Sequence, residues 1–200
     1  ILLDPKYNLL DIEFLLEGSN LGSNFVDLGS NIGLYSQPLA LASPNGIVLS
    51  IDPNPLMKTR LSFNYKASAI TNIQFVLSAV SNKIGKGSLK IRKNDNAIVA
   101  LDENIHADIK INTLENLIHE NNIKSIYGLK IDIEGHEDKA LAPFLLNSKK
   151  ALLPRKIVIE KLSKNTDYFE CKLAFEKLNY KLIARTKNNS LYKLNINEKL

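Results

Sequence analysis

Residues 25–33 read FVDLGSNIG, and LYSQPLALA follows at once. Phe25 and Val26 open an apolar run that ends at Asp27. Gly29, Asn31 and Gly33 then precede a segment with helical spacing. That order is a buried strand turning sharply into a helix through a glycine loop. Glycine adopts dihedrals that other residues resist, and its missing side chain lets a ligand approach the backbone. In open α/β sheets the carboxyl end of a first strand is where nucleotide-like ligands bind.

The spacing separates two ligand classes. The dinucleotide fingerprint G-x-G-x-x-G gathers its glycines under a pyrophosphate. Here Asp27 stands in place of the first glycine, and the pattern is D-x-G-x-x-x-G. A carboxylate there repels a pyrophosphate and suits an ammonium or sulfonium group. S-adenosylmethionine carries both. Further along, IVLSI (47–51) reads as a second buried strand ending in Asp52, with Pro53, Asn54 and Pro55 behind it. An acidic residue about 20 positions past the glycine loop is placed to accept hydrogen bonds from ribose hydroxyls. The competing reading of Asp52 is a turn residue before Pro53.

The rest of the chain alternates helix and strand patterns without an internal repeat. Residues 9–17 have helical spacing and stop at Gly18. The first strand lies near 24–28, its helix over 31–42, and Pro44-Asn45-Gly46 marks a turn. A strand near 47–52, a helix over 55–68 and a strand over 73–77 follow. Residues 81–111 differ: short alternating segments around glycine and asparagine read as antiparallel extensions or a loop. A short helix covers 112–121, capped by Asn112 or Thr113. Strand patterns at 126–133 and 156–160, a helix over 168–178 and a hairpin from 180–184 with 190–194 complete the order. Alternation through five strands implies a parallel sheet covered on both faces.

KIDIEGHE (130–137) breaks the rule that a buried parallel strand is apolar on both faces. Side chains alternate along a strand, so Lys130, Asp132 and Glu134 share one face. Unpaired buried charge is costly, so these residues pair with each other, meet water or meet a ligand. A Lys130–Asp132 structural ion pair is the plainer alternative. Glu137 and Asp138 follow in the first turn of the next helix, where its dipole favours them.

Composition sets few limits. Two hundred residues with 44% hydrophobic and 24% charged content suit one globular domain over 1–200, with 1–20 as a helical N-terminal segment and 81–111 as a variable insert. The net charge of +5 is spread along the chain, with a mild cluster at Lys149, Lys150, Arg155 and Lys156. No arginine-rich block or aromatic-basic pattern appears, so no nucleic-acid partner is expected. The single Cys171 excludes an internal disulfide and reads as core. No apolar stretch is long enough to span a bilayer, no signal peptide is evident, and a cytoplasmic location is expected. The start at Ile1 without a methionine fits a piece of a longer protein.

The set FVDLGSNIGLYS (25–36), IDPNP (51–55), SAVS (78–81), TLENL (113–117), KIDIEGHE (130–137) and IVIE (157–160) resembles the FkbM family of S-adenosylmethionine-dependent methyltransferases, in that family's order and spacing. The resemblance covers about 20–162. It implies a Rossmann-like class I methyltransferase fold: a mostly parallel seven-stranded sheet with helices on both faces and a C-terminal antiparallel hairpin. It implies S-adenosyl-L-methionine as cofactor. It also implies O-methylation of a hydroxyl on a sugar, glycolipid or related natural product, a small-molecule, glycan or lipid acceptor. The family more often has Glu where this chain has Asp52, and often Ala where it has Ser30.

With the residue-level reading, the resemblance marks Asp27, Gly29, Ser30, Asn31, Gly33, Asp52, Pro53, Asn54 and Ala79 as cofactor contacts. Asp132, Glu134 and His136 are marked as the catalytic group. A hydroxyl acceptor must lose its proton, and Asp132, Glu134, His136 and Glu160 are the candidate bases on the carboxyl rim. The positive end of a helix disfavours imidazolium at His136, leaving a ring able to accept a proton. Two carboxylates also suit magnesium or calcium in principle, but by themselves assign no metal. His106 and His119 read as bland, and Tyr35 as either a cofactor neighbour or core. An NAD-dependent oxidoreductase is the enzymatic alternative, and an inactive interaction domain the non-enzymatic one. Oligomeric state is not legible.

Overall fold

The computed structural model of the chain describes residues 8–92, 95–102, 109–162 and 167–195, with the backbone alone at 90–92 and 95–102. In chain order the elements are α1 (Leu9–Leu16), β1 (Phe25–Leu28), α2 (Ser36–Ala42), β2 (Val48–Asp52), α3 (Pro55–Ala67), β3 (Ile73–Leu77), β4 (Ala79–Val80), β5 (Gly85–Arg92) and β6 (Asp95–Asp102). Then come β7 (Ile109–Asn112), α4 (Leu114–Glu120), β8 (Gly128–Ile131), α5 (Glu137–Asn147), β9 (Lys156–Glu160), α6 (Phe169–Lys177), β10 (Tyr180–Arg185) and β11 (Asn189–Leu194).

The described residues form a seven-stranded sheet in the order β10-β11-β9-β8-β1-β2-β3. The five strands from β3 to β9 pair in parallel, and β11 runs antiparallel to both β9 and β10. The strand order reverses between β1 and β8, and a crevice opens there at the carboxyl ends. The fold expected from sequence is the one observed. Residues 81–111 resolve toward the first of the two options. Strands β5 and β6 form an antiparallel pair, and β7 returns to join β5 and the short β4. His106 lies outside the described residues.

Two boundaries differ from the sequence reading. The helix expected from 31 begins at Ser36, because Asn31 and Gly33 hold positive φ and residues 31–35 form a turn. The strand expected to 133 ends at Ile131. Glu134 and Gly135 also hold positive φ, so strict alternation cannot extend to Glu134. For α4, Thr113 is the cap, its Oγ1 accepting from the Asn116 N–H at 3.2 Å.

The sheet has two different faces. Val26, Leu28, Leu49, Ile51, Leu129, Ile131, Ile157 and Ile159 point to the α4–α6 side, where the larger apolar core lies, including fully buried Cys171. Phe25, Val48 and Val158 meet α1 and α2 on the other side. Lys156 fixes α1 to that side. Its buried ammonium donates to the carbonyls of Phe14 (2.6 Å) and Glu17 (2.5 Å) and pairs with the Glu17 carboxylate at 2.9 Å. Asp11 adds a second tie, accepting from Asn189 Nδ2 at 2.6 Å. Among the described residues, no helix is long and apolar enough to cross a membrane.

Replacing Lys156 with Met removes the donor to two main-chain carbonyls at the end of α1. Orphaned polar groups of this kind cost about 1–3 kcal/mol. We expect Lys156→Met to lower the melting temperature and to speed amide exchange in α1 before the rest of the sheet. Uniform exchange across both would show that the lysine is not what docks α1.

Candidate active site

A cleft opens where the ends of β1, β2 and β8 meet, closed on one side by the β3–β4 junction. Its walls hold Gly29, Ser30 and Asn31 from the first loop and Asp52, Pro53 and Asn54 from the second. Ala79 comes from the junction, and Asp132, Glu134 and His136 from the turn after β8. Of the residues marked from sequence as cofactor contacts or candidate bases, Asp27, Gly33 and Glu160 are not in its walls.

Asp27 is fully buried beneath the cleft. The register sets Ser50, Asp27 and Lys130 side by side across three adjacent strands. Under α2, Ser36 Oγ donates to Asp27 Oδ2 at 2.6 Å and lies 3.1 Å from Ser50 Oγ, while the buried Asp27 Oδ1 has no hydrogen-bond partner among the described residues. Burial pushes the Asp27 carboxyl up, against the pull of Lys130 and Ser36. Asp27 therefore feels a cation of the protein, Lys130, across the β1–β8 pair, in addition to the ligand cation that the sequence predicts for it.

The glycines also act differently from expectation. A Cβ on Gly29 would stand 1.8 Å from the carbonyl oxygen of Asp132, and its φ is +75°. A Cβ on Gly33 would press on Tyr65 and Leu61 of α3 at 3.0–3.1 Å. Both positions are glycine because protein, not ligand, approaches them. The loop's N–H groups are engaged as well. Gly29 and Ser30 donate to the Ile51 carbonyl at 2.9 and 3.1 Å, Asn31 to Asp52 Oδ2 at 2.8 Å and Gly33 to the Ser30 carbonyl at 2.8 Å. A pyrophosphate needs such N–H groups free.

Asp52 joins two loops as well as lining the cleft. Its second oxygen accepts from the Asn54 N–H at 2.8 Å, and Asn54 in turn caps α3 through Leu56 N. Burial raises its pKa, and the two N–H donors oppose that. Each carboxylate oxygen keeps a further lone pair for a ligand donor. Ser30, in a wall of the cleft, is 4% exposed, and its Oγ has no partner among the described residues. A buried hydroxyl left this way is costly unless a ligand meets it.

At the other end, Asp132 Oδ2 lies 3.5 Å from Lys130 Nζ, which also donates to the Gly29 carbonyl at 3.3 Å. Burial alone would lower the Lys130 pKa, but Asp132 and Asp27 outweigh it and keep the ammonium charged. The pair is thus present as the plainer sequence reading had it, and it lies in the cleft wall. Glu134 and His136 reach the same cleft by the turn rather than by strand alternation. That turn is held by Glu137, whose two oxygens accept from Ile133 N (2.8 Å) and Gly135 N (3.0 Å). His136 is the N-cap of α5, one position before its first turn.

Three further residues belong here. Asn8, the left-handed N-cap of α1, reaches the cleft because α1 docks beside it. Tyr35 lines the cleft with its hydroxyl on Asp11 at 2.9 Å; burial and Asp11 push its pKa up. Tyr35 answers to the cofactor-neighbour option its place after the glycine loop allows, whereas no local pattern announces Asn8. Glu160, at the end of β9, has a carboxyl oxygen within 4.8 Å of one from Asp132 and one from Glu137. Among the described residues this is the trio closest to a cation-sized cluster. Both Glu137 oxygens already accept from backbone N–H groups, and clustered carboxylates by themselves assign no metal here. His119 lies in the last turn of α4, away from the cleft walls.

The family model of the methyltransferase FkbM domain matches residues 27–182, so the chain belongs to that family. Among solved structures it is similar to an FkbM methyltransferase from Methylobacillus flagellatus KT, at 18% identity and a TM-score of 0.60. That match covers 88% of this chain and 44% of the other, so this chain spans less than half of that protein. An rRNA methylase from Streptococcus thermophilus matches at 15% identity and TM-score 0.55, over 92% and 94% of the two chains. TrmK from M. capricolum, solved with S-adenosyl-homocysteine, matches at 16% and 0.56, over 94% and 68%. At these identities the structures speak for the fold. With an rRNA methylase among them, they lend no support to excluding a nucleic-acid partner. A search of curated proteins finds no match.

Burial, followed by the Asp132, Glu134 and Glu137 charges, pushes Glu160 up to about 8 from an ordinary value near 4.5. The folded form then binds a proton more tightly than the unfolded one, so this group's contribution to stability declines as pH rises through that window. We expect the melting temperature of Glu160→Gln to fall less than that of the parent between about pH 5 and 8. Parallel curves would place Glu160 in an ordinary exposed environment.

Proposed function

We propose, for this member of the FkbM methyltransferase family, that the cleft binds S-adenosylmethionine and directs methylation of an acceptor hydroxyl. The acceptor class we favour is a sugar, glycolipid or related natural product. One observation carries the reading: a single cleft joins Asp52, at the end of β2, to Asp132, after β8. In this reading Asp52 accepts from ribose hydroxyls through its remaining lone pairs. Ser30 Oγ finds in the ligand the partner it lacks in the protein. The neighbouring walls from Pro53, Asn54 and Ala79 enclose the base. When bound, the cofactor supplies a methyl group on a sulfonium, activated for in-line transfer.

The acceptor end is the work of the turn after β8. An aliphatic hydroxyl must give up its proton as it attacks, and a positioned base contributes about 10²–10⁴-fold. Asp132, Glu134 and His136 stand in the same wall to receive that proton, and Gly135 between them gives the turn its shape. Asp27 supports the site from beneath by holding Lys130 against Asp132. Carboxylates around the acceptor end disfavour a phosphate-rich acceptor, which is why we place RNA second despite the rRNA methylase likeness. The engaged loop N–H groups speak likewise against NAD.

Calorimetry tests the cofactor. S-adenosylhomocysteine should bind the parent protein and NAD should not. Losing charged hydrogen bonds of this kind costs roughly 1.5–3 kcal/mol, so Asp52→Ala should weaken binding about 10–150-fold. It should also lower the melting temperature, because Asn31 and Asn54 lose their shared acceptor. NAD binding without a response to S-adenosylhomocysteine would end the reading.

Gly29 offers a separate test of how the cleft is built. Clash and strain at that φ together cost roughly 2–4 kcal/mol. Gly29→Ala should therefore destabilise the apo protein itself. A stable variant that merely fails to bind would return Gly29 to the role of ligand clearance.

A further inference from the structure

Asp132 and Glu160 come from neighbouring strand ends, and one oxygen of each lies within 4.8 Å of the other and of a Glu137 oxygen. Carboxylates this close disfavour one another's charge, so one of them takes a proton. Their surroundings decide which one. The Lys130 ammonium lies 3.5 Å from Asp132 Oδ2 and favours the charge there. Glu160 is half-buried and faces Asp132, Glu134 and Glu137. Glu137, on α5, is occupied as an acceptor by Ile133 N and Gly135 N. The proton therefore belongs on Glu160. Asp132 lines the cleft, and Glu160 stands behind it. The buried, partnerless Ser30 Oγ independently marks that cleft as one that takes a ligand.

We propose that Glu160 is a positioning residue that carries a proton at neutral pH and donates it to Asp132, fixing Asp132 as the group that receives the acceptor's proton. The proposal rests on the methyltransferase reading. In the step it serves, the acceptor O–H bond breaks and its proton bonds to an Asp132 oxygen. The acceptor oxygen forms the new bond to the methyl carbon, and the C–S bonding pair stays on sulfur. The proton on Asp132 passes to water as product leaves. Above the Glu160 pKa the pair becomes two anions, and the hydrogen bond that orients Asp132 is lost.

Infrared titration of the ligand-free protein reads the proton directly. A protonated-carboxyl band should be present at neutral pH and fade with a midpoint near 8. It should be absent in Glu160→Gln, and in Asp132→Asn it should fade at lower pH, because a neighbouring anion is gone. Labelled-methyl transfer to a panel of monosaccharides and oligosaccharides reads the consequence. Misplacing a reacting group can cost about 10²-fold, so Glu160→Ala should lower kcat by up to roughly that factor. Glu160→Gln, whose amide still donates, should recover most of the loss and abolish the fall in turnover above pH 8. Affinity for S-adenosylhomocysteine should stay within about twofold in both variants, since Glu160 acts on the acceptor end. Absence of a component that fades near 8, or survival of that component in Glu160→Gln, overturns the proposal. So does a Gln variant as inactive as the Ala variant, or turnover that a chelator stops and magnesium restores. A parent protein that binds no S-adenosylhomocysteine instead sinks the methyltransferase reading, while the band still decides the proton.

Discussion

Lys130 is a cation buried in the middle of a parallel sheet, 4% exposed, and much of the cleft is arranged around it. An ammonium cannot be left there alone. Asp27 meets it across the β1–β8 pair, Asp132 meets it above, the Gly29 carbonyl accepts from it and the Tyr35 ring covers it at 5.2 Å. Each partner is itself held: Asp27 by Ser36, Tyr35 by Asp11, Gly29 by the Ile51 carbonyl. The charge thus ties α1, α2, β1 and β8 to one point, and the ligand cleft opens directly over it.

A second constraint is close approach. The loop after β1 runs so near the Asp132 carbonyl that no side chain fits at Gly29. This brings the glycine loop and the acidic turn into one wall, so the two ends of the cleft are fixed relative to each other by backbone. Since in-line displacement depends on alignment, a rigid seam between cofactor and acceptor ends is what the reaction requires. The N–H groups of Gly29, Ser30, Asn31 and Gly33 are engaged by protein acceptors while the loop does so.

Much of this was legible beforehand. Buried apolar runs ending in Asp27, Asp52 and the KIDIEGHE block carry local information, since strand burial and turn residues are short-range properties. The five-strand alternation and closing hairpin follow from the same signals. A charged or glycine residue at a strand end also answers to protein neighbours: Gly33 clears Tyr65 and Leu61, and Asp27 accepts from Ser36. The alternation rule carried too far past Ile131, because Glu134 and Gly135 turn with positive φ.

The sequence by itself determined the order of elements, the family, and which loops border the cleft, because each is written in contiguous residues. Only the tertiary structure decided what those loops do. That Asp27 faces Lys130 is set by strand register; that Gly29 clears Asp132 is set by how two distant loops pack. That Asn8 and Tyr35 enter the site depends on α1 docking through Lys156 and Asn189. Glu160 meets Asp132 because β8 and β9 pair in parallel with Ile131 opposite Ile159, so both strands deliver their next carboxylates to the same rim. Hydrogen bonds and charge pairing act over a few ångströms, and folding alone chooses which distant residues come that close.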